Sequence, residues 1–339
     1  MSVKRFRGLI ASIGIIVALV VHAPLAFAQS SGLSSGSSTG SSDLWNLLFP
    51  ESHESFIKRL LDPLDQSHIS IHPDLTPDLY EEVFDPPQFG ECPSVLAVVA
   101  RGSEQNLQIR PARYSEEAPW TSNGFEERNF RSFFGRLEKH HMENTGESLM
   151  KDVYVMGLNN AEYPASFPLS SEGSSAIALG TSVSSGRDNL MSAIDHFEAE
   201  TGCTPKYLLG GYSQGVMVVN GYEEELITRD QYVGTLHIAN PAQQPDDPSL
   251  IGHEVTTGGL ASSIDPVEET SQKISYCLPG DIVCDRSFEQ FSAAGSSVAA
   301  ATISSGNSRA GRVHLQYFVT TQPWDDEIFD EVASWIEQA

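Results

Sequence analysis

The pentapeptide GYSQG, residues 211–215, places Ser213 between small residues that would permit a sharp turn. The same G-x-S-x-G pattern also occurs twice in the Ser/Gly-rich residues 32–40, so the pattern alone is weak evidence. Ser213 differs because an apolar run, residues 207–211, precedes it and a helical pattern follows it. A strand, a sharp turn and a helix expose a serine as a nucleophile and leave the next backbone N–H, that of Gln214, free to stabilise an oxyanion. We therefore predict that Ser213 is a nucleophile for acyl transfer.

A serine hydroxyl needs a general base, and in this chain order the base follows the nucleophile. The downstream histidines are His237, His253 and His314. His237 lies within the apolar run 232–239, which is typical of a core histidine, and His253 precedes the last predicted strand. His314 follows that strand and precedes the final predicted helix, where a loop would carry it over the serine. The order of elements favours His314 as the base.

The acid that orients this histidine is predicted to be Asp281. It lies in the segment CLPGDIVC, residues 277–284, directly after the predicted strand 273–277. A carboxylate in that place would orient the imidazole and stabilise the imidazolium. Asp285 is the nearest alternative for the acid. The interpretation of Asp281 without a function is an ordinary solvated carboxylate in a loop. Asp246 and Asp265 come too early in the chain.

The elements that must position these residues begin after Cys92, where apolar runs alternate with helical patterns. Continuous apolar runs of this kind are typical of buried parallel strands, whereas the helices show one apolar face. The predicted strands are 95–100, 153–158, 207–211, 232–239 and 273–277, and the predicted helices are 125–144, 182–201, 216–226 and 325–338. This alternation predicts one α/β domain, residues 91–339, with a mostly parallel central sheet.

The N-terminal residues divide into three further segments. Residues 1–28 have a positive start, an apolar run over 9–21 and the small-x-small motif Ala26-Phe27-Ala28, which predict a signal peptide cleaved before Gln29. An uncleaved anchor is disfavoured because a span needs about 20 apolar residues. Residues 29–42 are a Ser/Gly-rich linker. Residues 43–90 form an N-terminal extension with short apolar clusters and several prolines, which either packs on the domain, associates with a partner such as the cell envelope, or is a poorly ordered arm.

The four cysteines and the charge agree with export. An even number of cysteines in an exported chain predicts two disulfides, but the count leaves three pairings open. Cys277 and Cys284 are near enough in sequence to close one loop, which would leave Cys92 with Cys203. A zinc site is disfavoured because no C-x-x-C pair occurs. The formal net charge of −25 disfavours nucleic acid and anionic membranes as partners, and no second apolar run is long enough for stable membrane insertion.

Four motifs in a fixed order resemble the cutinase family, and most closely its actinobacterial members, over about residues 90–339. They are ARGS at 100–103, GGYSQG at 210–215, C-x-x-G-D-x-x-C at 277–284 and H-L-x-Y at 314–317. The resemblance implies a three-layer α/β-hydrolase sandwich with Ser213, Asp281 and His314 as the catalytic triad. It also implies an oxyanion hole from Ser103 and Gln214, the disulfides Cys92–Cys203 and Cys277–Cys284, and no metal or other cofactor. Two departures are the 33 residues from Asp281 to His314, which are more than compact fungal cutinases have, and the extension at 43–90.

These observations together predict a secreted carboxylic ester hydrolase, located outside the cell or in its envelope. Its substrate would be an ester or lipid with an apolar acyl chain, such as a cutin-like polyester, a glyceride or a lipid ester. A phospholipase or thioesterase with the same triad is one alternative. A non-catalytic envelope-binding protein of the same fold is another, and it is disfavoured because all three triad residues are present.

Overall fold

The computed structural model describes residues 83–106, 109–167, 174–262, 272–287 and 313–339. The predicted signal peptide, the linker and residues 43–82 of the N-terminal extension lie outside these ranges. Within them, no helix is both long enough and apolar enough to cross a membrane. The described residues therefore belong to the predicted catalytic domain and the few residues that precede it.

A six-stranded sheet is the centre of the described structure, and its strand order is β2-β1-β3-β4-β6-β5. Every neighbouring pair in this sheet runs parallel. The strands are β1 Val95–Ala100, β2 Val153–Gly157, β3 Lys206–Tyr212, β4 Tyr232–Ile238, β5 Leu250–Gly252 and β6 Lys273–Cys277. The predicted α/β class with a parallel sheet is confirmed.

Helices cover both faces of the sheet and form two separate cores. The helices are α1 Glu127–Thr145, α2 Ser174–Thr201, α3 Gln214–Val219, α4 Glu223–Thr228 and α5 Asp325–Glu337. Successive residues of β1 alternate between the cores: Val95, Ala97 and Val99 pack with α1 and α5, whereas Leu96, Val98 and Ala100 pack with α2, α3 and α4. This alternation follows from the strand geometry, which points neighbouring side chains to opposite faces, and it gives the predicted three layers.

Three elements differ from the sequence prediction, and one of them is α2, which begins at Ser174 and not at residue 182. The helix predicted over 216–226 is interrupted, because Asn220 adopts an extended conformation and Gly221 has a φ of 98°. Two short helices, α3 and α4, result. The strand β5 was not predicted; it has only three residues, too few for a hydrophobic pattern to be recognised.

Two disulfides join the elements, Cys92–Cys203 and Cys277–Cys284. They are the two pairs that the resemblance implies, and the described residues contain no other cysteine. Cys92 and Cys203 precede β1 and β3, so their bond lies at the amino ends of the strands. The bond between Cys277 and Cys284 closes the loop after β6, at the opposite, carboxyl edge. In parallel α/β sheets this edge is where ligands bind.

Candidate active site

Ser213 occupies a strained turn between β3 and α3. Its φ of 53° and ψ of −117° lie outside the regions that L-residues usually adopt. The turn depends on its glycines: a Cβ on Gly215 would lie 1.9 Å from the carbonyl oxygen of Ala100, and a Cβ on Gly211 would lie 2.5 Å from Val216 Cα. The close approach of β1, β3 and α3 therefore requires glycine at both positions. The serine stands at the carboxyl edge of the sheet, in the strand–turn–helix setting expected from the sequence.

The structure brings together the three residues predicted as a triad. His314 Nε2 lies 3.1 Å from Ser213 Oγ, and His314 Nδ1 lies 2.9 Å from Asp281 Oδ2. The three side chains come from the turn after β3, the loop after β6 and the segment before α5. All three are largely buried, and Asp281 has no exposed surface. The hydrogen bonds form one continuous chain from carboxylate to hydroxyl.

The alternative residues weighed from the sequence lie elsewhere. Asp285 Oδ2 is 3.0 Å from His253 Nε2, so these two side chains pair with each other. His237 is fully buried in β4, and neither of its ring nitrogens has a hydrogen-bond partner among the described residues. Burial, followed by the positive charge of Lys273, holds the pKa of His237 well below its ordinary value. His237 is therefore a neutral core side chain, as its apolar surroundings in the sequence indicate.

The two residues expected to form an oxyanion hole lie next to each other. Ser103 Oγ donates a hydrogen bond of 3.2 Å to Gln214 Oε1, and Gln214 Nε2 donates one of 3.4 Å to the carbonyl of Ser166. Gln214 is the first residue of α3, and the N–H groups of a helix's first turn have no partner within the helix. Such a backbone N–H is available to an oxyanion formed beside Ser213.

Arg101 stabilises the neighbourhood of Ser103 by hydrogen bonds, a role that the sequence alone did not indicate. Its fully buried guanidinium donates to the carbonyl of Leu158, to Asn160 Oδ1 and, at 2.7 Å, to the carbonyl of Tyr163. It also bonds Asn106 Oδ1 at 3.0 Å. Burial lowers the pKa of Arg101. These bonds tie the loop that carries Ser103 to the segment after β2.

Two tyrosines contact the triad, and the sequence analysis assigned neither a role. The Tyr212 ring stacks on the His314 imidazole with centroids 5.1 Å apart, and its hydroxyl donates to the carbonyl of His314 at 2.6 Å. The Tyr317 hydroxyl donates to Asp281 Oδ2 at 2.7 Å. The signal was present in the sequence, since Tyr212 belongs to GYSQG and Tyr317 ends H-L-x-Y.

Comparison with known proteins found similarity of fold and one partial family match. The model of the PE-PPE domain family matches residues 158–246, which include Ser213 but neither Asp281 nor His314. No curated protein matches the chain. The match covers less than half of the chain, so the family relation is a similarity over that segment.

Several solved structures are similar to the chain at low identity. An acetylxylan esterase is 16% identical and covers 73% of this chain and 98% of its own, with a TM-score of 0.40. A cutinase from Trichoderma reesei in complex with a phosphonate inhibitor is 16% identical and covers 87% of this chain and 97% of its own, with a TM-score of 0.40. A cutinase-like protein from Cryptococcus sp. is 16% identical and covers 64% of this chain and 94% of its own, with a TM-score of 0.39. The fold assignment itself rests on the parallel sheet and its two helical layers.

Proposed function

We propose that this protein is a serine esterase in which Ser213, His314 and Asp281 act as the catalytic triad. The observation that carries the proposal is the continuous chain of hydrogen bonds from Asp281 through His314 to Ser213 Oγ. The strained turn at Ser213 supports it, because strain of this kind persists where the surrounding packing enforces it and is common at active sites. Neither observation is expected of a serine in an ordinary tight turn.

The proposed reaction is acyl transfer in two steps. His314 Nε2 takes the Ser213 proton while the oxygen attacks the ester carbonyl, and the backbone N–H groups of Ser103 and Gln214 stabilise the oxyanion. The tetrahedral intermediate collapses and the alcohol leaves with the proton from His314. Water then attacks the acyl-enzyme in the same way and releases the carboxylic acid and free Ser213. Asp281 keeps the imidazole in the required tautomer and stabilises the imidazolium.

The proposed substrate is a carboxylic ester with an apolar acyl chain, of the kind found in cutin-like polyesters, glycerides or lipid esters. The proposed location is outside the cell or in its envelope. Two disulfides among the described residues support export, because such bonds persist in oxidising compartments. The net charge of −25 disfavours nucleic acid as a partner.

The test is hydrolysis of p-nitrophenyl esters with acyl chains from C4 to C16, by residues 29–339 and by the same chain with Ser213→Ala. We expect activity in the parent protein and its loss in the variant by about 10⁴-fold or more, the scale seen when a triad member is removed. The acyl-chain optimum, with phospholipid and thioester substrates as comparisons, separates an esterase from a phospholipase or thioesterase. Folded, oxidised parent protein without activity on any ester would favour a binding protein instead.

A matched pair of carboxamide variants tests the assignment of the acid. Asp281→Asn is expected to reduce kcat by about 10³–10⁴-fold, because an amide cannot hold the imidazole in the productive tautomer. Asp285→Asn, also buried and also bonded to a histidine, is expected to leave kcat near that of the parent. An equal loss in both variants would contradict the assignment of Asp281.

We also propose that residues 43–90 mediate association with the cell envelope. Asp85 belongs to the folded body, since its N–H donates to Thr121 Oγ1 at 2.9 Å and its carbonyl accepts from the Thr121 N–H at 2.8 Å. A deletion of residues 29–82 therefore leaves this contact in place. We expect the deletion to keep ester hydrolysis and to release the protein from envelope fractions; unchanged retention would refute the association.

A further inference from the structure

The Asp281 carboxylate accepts hydrogen bonds from three directions. Its Oδ2 accepts from His314 Nδ1 at 2.9 Å and from the Tyr317 hydroxyl at 2.7 Å, and its Oδ1 accepts from the Val283 N–H at 3.0 Å. The tyrosine and the histidine thus share one carboxylate oxygen. Any donor on that oxygen withdraws negative charge that would otherwise stabilise the imidazolium.

The Tyr317 hydroxyl lies near one donor and two acceptors, Asp281 Oδ2 and the disulfide sulfur of Cys284, which at 3.4 Å is the weaker acceptor. It accepts the Leu278 N–H at 2.9 Å, so its own proton is free to point to Asp281. Tyr317 is fully buried, and burial together with the charge of Asp281 raises the pKa of its hydroxyl well above the ordinary value. The group therefore remains a protonated donor over the whole working pH range.

The imidazole of His314 is held from a second side by Tyr212. The Tyr212 ring stacks on the imidazole, and its hydroxyl bonds the backbone carbonyl of the same histidine. Tyr317 meets the imidazole edge-on, with an interplanar angle of 83°. Tyr212 therefore fixes the ring plane of His314, whereas the hydroxyl of Tyr317 acts on the histidine through Asp281.

We propose that Tyr317 is a positioning residue that fixes the Asp281 carboxylate and sets the basicity of His314. The inference rests on the proposed esterase function. With the tyrosine proton on Oδ2, part of the negative charge of Asp281 is engaged by Tyr317, and Asp281 stabilises the imidazolium less. Without that proton, the carboxylate is less firmly held and the imidazolium is stabilised more.

The titratable and charged groups around His314 come from four elements. Asp281 faces it from the loop after β6, Tyr317 from the segment before α5, and Tyr212 from the end of β3. Arg128 of α1 acts on Tyr212 by its charge. Replacing the Tyr317 hydroxyl leaves the other three groups in place, so a changed pH profile is attributable to the loss of that hydroxyl, which also removes the acceptor of the Leu278 N–H.

The experiment is Tyr317→Phe, with Tyr276→Phe as the matched control. Tyr276 packs against the Tyr317 ring and also gives its hydroxyl to a buried carboxylate, Asp325 Oδ1, at 3.1 Å, but Asp325 lies outside the triad. For Tyr317→Phe we expect kcat to fall about tenfold with KM unchanged, the size of one hydrogen bond to a charged group. We expect the acid limb of the kcat/KM profile to move to higher pH by about half a unit. For Tyr276→Phe we expect the profile of the parent.

The outcomes separate this inference from the proposed function. Activity that survives Ser213→Ala overturns the esterase mechanism itself. If Ser213→Ala is inactive but Tyr317→Phe keeps the parent's acid limb, or if both tyrosine variants shift it equally, the role of Tyr317 is refuted while the mechanism stands.

A second measurement on the unmodified protein covers the case in which Tyr317→Phe does not fold. In proton NMR, the His314 Nδ1 proton is expected to show a nuclear Overhauser effect to the Tyr317 hydroxyl proton, because both protons bind the same oxygen. The absence of that effect in a spectrum where the His314 proton is visible would overturn the inference.

Discussion

Two residues beside the proposed active site are held in a conformation or an environment that costs free energy. Ser213 has a backbone conformation that costs free energy, and Arg101 keeps a guanidinium away from solvent, with its two terminal nitrogens bonded to carbonyl and amide oxygens. Strain and buried charge of this kind persist only where the surrounding structure determines them. Both residues border the proposed oxyanion hole, so free energy from folding is used to organise it.

His237 is a buried histidine that the proposed mechanism does not use, and it gives a prediction for acid stability. Burial lowers its pKa in the folded state, whereas in the unfolded chain the pKa is near 6.5. Below that pH the unfolded state takes up a proton that the folded state does not, so the free energy of unfolding falls as the pH is lowered. Above it, His237 is neutral in both states and has no effect on the pH dependence.

The substitution His237→Leu should remove this loss. At pH 5 we expect it to raise the free energy of unfolding by about 2 kcal/mol more than at pH 8. Urea unfolding at both pH values measures the difference. The same substitution at His196, which is exposed and pairs with Glu200 at 3.3 Å, is the control and should not give this gain at pH 5. If both variants respond alike to pH, the depressed pKa of His237 is not what limits acid stability.

Among the elements, the contact of α3 with β1 and β3 determines whether the elbow can form. A Cβ on Gly215 would overlap a backbone carbonyl of β1, which cannot rotate away. Gly186 of α2 is the comparison, because an added Cβ there would lie 2.9 Å from buried side chains, those of Tyr163 and Val218, and not against backbone. The two glycines share a helical setting and differ in what surrounds them.

Gly215→Ala should therefore lower the free energy of unfolding by about 3 kcal/mol and reduce kcat, because the helix must shift away from β1 and take the Gln214 N–H with it. Gly186→Ala should lower stability less than Gly215→Ala, since side chains can yield where a backbone carbonyl cannot, and the higher helix propensity of alanine, about 1 kcal/mol, offsets part of the crowding. Urea unfolding and ester hydrolysis of both variants test the contrast. Equal effects in the two variants would show that α3 is free to move.

The main strands were predictable from the sequence because they are buried on both faces and read as continuous apolar runs. The turn at Gly221 was not predictable in the same way, because glycine inside an apolar helical pattern is compatible with an uninterrupted helix. The helix predicted to begin at residue 182 corresponds to α2, which begins at Ser174. The hydrophobic pattern therefore located most strands of the sheet. It did not locate the residues at which the helices begin or are interrupted.

Part of the site followed from chain order and part did not. Ser213 and Asp281 were indicated by their places directly after predicted strands, and His314 by its place between the last strand and the final helix, since parallel strands end at one edge. Ser103 was indicated only by the resemblance to a family, and Tyr317 was part of a motif but was assigned no role. A hydroxyl that acts through a carboxylate 36 residues away along the chain has no local pattern, so its place becomes visible only when the fold is known.

For the whole molecule, the two disulfides lie at opposite edges of the sheet and should therefore stabilise different things. Cys92–Cys203 spans 111 residues at the amino ends of β1 and β3, whereas Cys277–Cys284 spans 7 residues around Asp281. In the chain-entropy account, the longer loop stabilises the fold by about 4.8 kcal/mol and the shorter by about 2.5 kcal/mol. A strand of six residues places about 20 Å between the first bond and the triad.

Replacing each pair of cysteines by alanine should separate stability from catalysis. The Cys92/Cys203 variant is expected to lose more of the free energy of unfolding, by roughly twice as much, and to keep kcat where it remains folded. The Cys277/Cys284 variant is expected to lose less stability but to show a reduced kcat, because the loop that holds Asp281 against His314 and Tyr317 is no longer closed. Guanidinium unfolding and ester hydrolysis well below the melting temperature measure both quantities. If kcat instead falls in proportion to lost stability in both variants, the loop around Asp281 is held by its packing and hydrogen bonds, and its disulfide has no separate part in the site.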